Sequence, residues 1–179
     1  MLDPTWMRRG EYPALRVFRD VDSELAFIIH TISRLLDDGY SRIDIAILHR
    51  RQWGPGRYST ALRAAGLAVA HIREDRPLPK AAVAVGTLHL AKGLEYRVVF
   101  VTQLQCLFDC DRWLPPMDRA RFNADELRLL YVGMTRARDR LYLTYQSKLP
   151  AELTHLERFL DAAKSRTDDA PTRSSSSHV

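Results

Sequence analysis

The chain reads as an α/β protein, a mostly parallel β-sheet with helices on both faces. Two observations predict this. Short β-branched runs alternate with stretches whose apolar residues recur at helical spacing, and glycines fall just past two of the helical stretches. At 179 residues it is one domain of ordinary size, long enough to bury a substantial core.

Residues 1–13 mix Pro, Gly and charge without a period and read as an N-terminal arm or linker. Residues 15–18 are a short strand. Asp22 is the expected N-cap of a helix whose Leu25, Ile28, Ile29, Ile32, Leu35 and Leu36 form one stripe, and Gly39 stops it. The run Ile-Asp-Ile-Ala-Ile-Leu over 43–48 is a strand. A Gly/Pro loop leads to a helix over 58–65, closed by Gly66, and then to a strand over 67–72. Residues 73–80 are a polar connection. Strands are expected over 82–88 and 98–102, and an irregular loop over 106–122. A helix over 124–138 follows, burying Leu127, Leu130, Tyr131 and Met134 on one face. A strand over 141–145 and a helix over 153–163 complete a domain taken as residues 14–163. From Lys164 onward there is no apolar anchor, so 164–179 is expected to be a disordered tail.

Composition narrows the function class. Hydrophobic residues make up 46% and charged residues 27%, a soluble globular balance. No apolar run is long enough for a membrane span, and the first residues lack a signal pattern, so the expected location is cytoplasmic. Cys106 and Cys110 read as plain thiols: a disulfide would close a very short loop, and no second Cys or His pair stands by to complete a zinc site. No metal ligand set is expected elsewhere. A net charge of +5 fits contact with nucleic acid without requiring it. Arg112, Arg119, Arg121, Arg128, Arg136, Arg138 and Arg140 crowd one segment, which is either a solvated helix face or an anion-binding surface.

In an open α/β sheet, ligands bind at the carboxyl ends of the strands. That rule points to the ends of the strands finishing near Leu48, Leu88 and Thr102. In Ile45-Ala-Ile-Leu-His-Arg50 a strand runs into an arginine, whose planar fork suits a phosphate; alone, such a residue is usually a solvated charge. In Val85-Gly-Thr-Leu-His-Leu-Ala-Lys-Gly-Leu-Glu-Tyr96, Thr87 and His89 offer donors to phosphate or base. Gly93 permits a tight backbone beside Lys92, and Glu95 is an acceptor suited to sugar hydroxyls. The bland alternative is a polar strand–turn–strand link. In the segment from Asp125 to Asp139, Thr135, Arg136 and Arg138 lie near a helix end, and Gly133 thins one face. A fixed arginine there can stabilise charge on a phosphoryl group. Asp125, Glu126 and Asp139 are alternatively salt-bridge partners for Arg128 and Arg140. Gly54-Pro-Gly-Arg-Tyr-Ser-Thr60 has the look of a phosphate-cradling loop but lacks its Gly-Lys-Ser/Thr ending, so it reads as an ordinary loop.

Taken in order, these segments resemble the C-terminal motifs of the UvrD/Rep-like superfamily 1 DNA helicases. Ile-Leu-His-Arg resembles motif IV, Gly-Thr-Leu-His-Leu-Ala-Lys-Gly-Leu-Glu-Tyr motif V, and Leu-Arg-Leu-Leu-Tyr-Val-Gly-Met-Thr-Arg-Ala-Arg motif VI. The resemblance covers about residues 15–145. It implies a RecA-like domain, a P-loop NTPase-like fold lacking the P-loop, with ATP in the cleft against an N-terminal RecA-like domain that carries it. By that resemblance Arg50 and Arg136 reach the γ-phosphate, and Lys92, Gly93 and Glu95 lie on the nucleotide side. Thr87 and His89 touch single-stranded DNA, and Tyr131 packs the motif VI helix. The polarity it implies is 3′ to 5′.

The chain departs from the family pattern in two ways. It contains no phosphate-binding Gly-Lys-Thr/Ser and no Asp-Glu metal motif, so ATP and Mg2+ are expected to be handled only together with the N-terminal domain. Larger family members carry a big insertion between motifs IV and V, whereas Arg50 and Thr87 are joined here by one helix, one strand and a short loop, which favours a compact helicase or a translocase. Two other classes compete: a non-enzymatic nucleic-acid-binding module that keeps the fold, and a nuclease built on Asp109, Asp111 and Asp118. The nuclease lacks a basic catalytic partner.

Overall fold

The computed structural model describes residues 13–75, 77–79, 81–109 and 115–157. Most of the expected N-terminal arm, the tail from Lys164, residues 158–163 of the expected last helix, Cys110, Asp111 and Arg112 lie outside them.

Six strands form one sheet in the order β1-β6-β5-β2-β4-β3, and every neighbouring pair is parallel. The strands are β1 (Ala14–Phe18), β2 (Ile45–His49), β3 (Val69–His71), β4 (Val83–Thr87), β5 (Tyr96–Thr102) and β6 (Ala137–Gln146). The helices are α1 (Val21–Asp37), α2 (Gly54–Ala64) and α3 (Pro116–Met134). Side chains alternate across a strand, so β2 feeds two cores. Ile45 and Ile47 join Ile28, Ile32 and Leu35 of α1 and Tyr58 and Leu62 of α2. Ala46 and Leu48 face the other way, into a core holding Leu130 of α3 and Leu153 and Leu156 of the 3-10 turn Ala151–Leu156. Burying both faces explains why the central strands are nearly continuous in apolar residues.

The structure corrects several boundaries. Asp20, not Asp22, caps α1: its carboxylate accepts from Ser23 N at 2.8 Å while the Ser23 hydroxyl faces the Asp20 amide, a reciprocal box. Those hydrogen bonds from Ser23 hold the Asp20 carboxyl down at about 2. The Gly54-Pro-Gly stretch is not a loop but the first turn of α2. Within the segment expected to be irregular, α3 already begins at Pro116, where a proline suits the first turn. It ends at Met134, so Arg138 lies in β6 rather than on a helix. Tyr131 is 68% exposed and packs nothing in place. The inward stripe of α3 is Glu126, Leu130 and Gly133.

Candidate nucleotide and nucleic-acid surfaces

The residues singled out in the sequence fall into two groups, at opposite ends of the sheet. Thr87 ends β4, and Arg50 and His89 lie just beyond the ends of β2 and β4. Lys92, Gly93 and Glu95 precede β5, and Arg136 precedes β6. Because all strands run the same way, the seven residues of β5 separate the two levels by roughly 20 Å. The carboxyl-end rule therefore locates the first group and not the second.

The first group borders a groove of about 1000 Å3 at the ends of β2, β3 and β4. Arg50, Thr87 and His89 line it, together with Arg51, Trp53, His71, Arg73 and Asp109. Arg50 is not a free charge. Its Nε and Nη2 donate to the two Glu126 carboxylate oxygens at 2.5 and 2.6 Å, a bidentate bond with Glu126 almost fully buried. That bond raises the Arg50 guanidinium above its ordinary value against the opposing effect of burial. The strand β2 and the helix α3 are thus riveted together beside the groove. His49, one residue earlier, is fully buried, and burial lowers its ring below the ordinary value, so it is neutral near pH 7. Its Nδ1 lies 2.8 Å from the Arg51 amide nitrogen and 2.9 Å from the Arg51 carbonyl oxygen, and its Nε2 lies 3.3 Å from Gln103 Oε1.

Gln103 takes a left-handed backbone (φ 54°) and reaches Glu24 with its amide at 3.3 Å. Glu24 is itself fully buried and also accepts from Tyr58 at 3.2 Å, from Gln146 at 3.0 Å and from Thr144. Burial and the Glu24 charge both push the Tyr58 phenol up. This polar cluster joins α1, α2, β5 and β6 underneath the end of β2.

The second group is assembled by hydrogen bonds between the expected motifs V and VI. The Tyr96 amide donates to the Arg136 carbonyl at 2.9 Å. Arg136 Nη1 donates to the Leu94 carbonyl at 3.2 Å, Nε to the Val132 carbonyl at 3.0 Å, and Nη2 to the Thr135 hydroxyl at 3.2 Å. Gly93 has φ 81°, a left-handed turn that a side chain would strain, and it sets Lys92 and Glu95 in solvent on either side. The two groups are the ends of one connection: residues 88–95 run from β4 back to β5, and its first turn, Leu88–Ala91, packs on α3. A Cβ on Gly133 would lie 2.3 Å from Leu88, so the glycine admits this turn against the helix.

Some expected partners changed. Arg128 pairs with Asp125 at 2.7 Å as anticipated, but Asp139 pairs with Arg97 and Glu126 with Arg50. Cys106 is a free thiol, raised by burial. Sequence reasoning passed over Trp53, Arg51, His71 and Arg73; a tryptophan three residues past a strand-end arginine was the available signal. Among the described residues no group of three or more His, Cys, Asp or Glu is placed to hold a metal ion, and no helix is long and apolar enough to cross a membrane.

The sheet and its helices define the class: this is an α/β RecA-like fold. The C-terminal domain of a Lactobacillus plantarum protein described as a possible DNA helicase superposes with a TM-score of 0.61 at 24% identity, covering 82% of this chain and 81% of that one. Residues 62–148 match the model of the UvrD-like helicase C-terminal domain, taking in Thr87 through Arg136 and leaving out Arg50. The ATP-dependent DNA helicase UvrD1 of Mycobacterium tuberculosis is 52% identical over 66 residues, 35% of this chain and 8% of that protein. The ATP-dependent DNA helicase PcrA of Bacillus subtilis is 45% identical over 73 residues, 40% of this chain and 10% of that protein. Residues 62–148, just under half of the chain, are thus similar to a UvrD-like helicase C-terminal domain. The chain matches only about a tenth of the length of these relatives.

Proposed function

We propose that the chain is the second RecA-like half of an ATP-dependent DNA helicase or translocase of 3′ to 5′ polarity. It works against an N-terminal RecA-like domain that supplies the phosphate-binding loop and the Mg2+ ligands. The observation that carries this reading is the eight-residue connection 88–95. It has the candidate DNA contacts Thr87 and His89 at one end and the candidate nucleotide contacts Lys92, Gly93 and Glu95 at the other, bonded to Arg136.

In this reading ATP bound by the N-terminal domain faces the amino-end group. Arg136 turns its fork to the γ-phosphate, exchanging two bonds of 3.2 Å for charged ones that strengthen as the phosphoryl group leaves. Glu95 accepts from the nucleotide's sugar. The Leu94 carbonyl released by Arg136 belongs to the same loop, so nucleotide state shifts the connection and, through Leu88, the groove edge at Thr87 and His89. Repeated closure and opening would step the domain along one strand. Arg50 stands instead in the carboxyl-end group, where its bond to Glu126 ties β2 to α3 and makes its contribution one of positioning. Lacking a phosphate-binding loop of its own, the chain alone does not turn over ATP.

The DNA side is tested by titrating the chain with a fluorescent oligo(dT) at several salt concentrations. Binding should be weak and fall steeply with salt, and His89→Ala should reduce it severalfold with the fold intact. A His89→Ala affinity equal to wild type removes that residue from the DNA surface.

A further inference from the structure

We propose that Trp53 is a stacking platform for a base of single-stranded DNA lying in the groove at the carboxyl ends of β2 and β4. This rests on the DNA reading of that groove above and adds a contact on its β2 side.

Trp53 is 54% exposed, an unusual cost for the largest aromatic side chain, and it borders the groove that Thr87 and His89 line from β4. Its ring has two neighbours. The fully buried His49 ring stands 4.8 Å away, itself fixed through Gln103 and the Arg51 backbone, and the Arg57 guanidinium lies 5.6 Å over the indole. Gly54 directly after it cannot carry a side chain, because a Cβ would lie 2.1 Å from the His49 ring. The indole therefore sits on a rigid base at the start of α2.

Around it the groove offers Arg51 and Arg73 beside Asp109, which lies 3.7 Å from Arg51, while Arg50 is already engaged by Glu126. Cations that follow a backbone and an aromatic face that accepts any base are the two parts of a single-strand site. An apolar peptide would make no use of Arg51 and Arg73, and a duplex hides its base faces.

The test is binding of the whole chain to oligo(dT) and to an oligonucleotide of the same length with abasic sites. Trp53→Ala should weaken oligo(dT) binding about tenfold while Trp53→Phe keeps most of it. The abasic strand should bind wild type and Trp53→Ala alike. Equal oligo(dT) affinity of wild type and Trp53→Ala, with His89→Ala still weakened, overturns the platform and leaves the groove reading standing. No binding of either strand by wild type overturns both. Should Trp53→Ala unfold, judged by its melting temperature, Trp53→Phe and the abasic strand decide alone.

Discussion

Arg50 shows how a residue's chemistry depends on what faces it. A guanidinium at the end of a buried strand reads, from sequence, as a charge awaiting a phosphate. In the fold it is spent on Glu126, seventy-six residues away, and each is what allows the other to be buried. Removing one partner leaves an uncompensated charge, which costs far more than the pair is worth against two apolar groups. Arg50→Ala should therefore destabilise the chain by about 3 kcal/mol in urea unfolding. Replacing both residues together with apolar ones should recover most of that. A loss for Arg50→Ala within a few tenths of a kcal/mol would mean that the ion pair does not form. Nothing local in the sequence announces such a pair. Thr87, His89 and Glu95 are easier to nominate as candidates, because each stands at or beside a strand end where a polar side chain has little else to do.

At the level of elements, α3 explains why a hydrophobic pattern can mislead. Counting apolar residues selects Leu127, Leu130, Tyr131 and Met134 as the buried face, yet Leu127 and Tyr131 are exposed. The true inward stripe contains a glutamate, buried because it is paired, and a glycine, which has no side chain to count. Both are invisible to a hydrophobic tally. The same holds at the start of α2, where Gly54-Pro-Gly has the composition of a loop. Proline is at home in a first helical turn, and Gly54 is there because the His49 ring fills the space where a Cβ would be. Gly54→Ala should lower stability by about 2 kcal/mol, since His49 has no room to retreat. A urea midpoint at the wild-type value would show that the helix start can shift. The expected strands overlap β1 to β6, most clearly at β5, which presents Val99 and Val101 to one core and Val98 and Phe100 to the other.

Across the whole molecule, the alternation of strand and helix made the fold class legible. The pairing of β1 with β6, and the separation of the site residues onto two ends of the sheet, were not. Both are long-range consequences of strand order, which local patterns do not carry. Once the order is known, the separation becomes informative: the proposed nucleotide and DNA surfaces lie at opposite ends of one domain and need a mechanical link. Residues 88–95 are short enough to be that link, with Leu88 seated against Gly133 and Leu94 held by Arg136. In the proposed motor, Arg136 acts on the phosphate of an ATP bound by an N-terminal RecA-like domain. The most direct measurement is DNA-stimulated ATP turnover in a polypeptide joining the two domains, wild type against Arg136→Ala and Arg136→Lys. Arg136→Ala should lower turnover by about 10³-fold with ATP still bound, and lysine should rescue little of it because it cannot reproduce the planar fork. Turnover near the wild-type rate in both variants would contradict this role of Arg136.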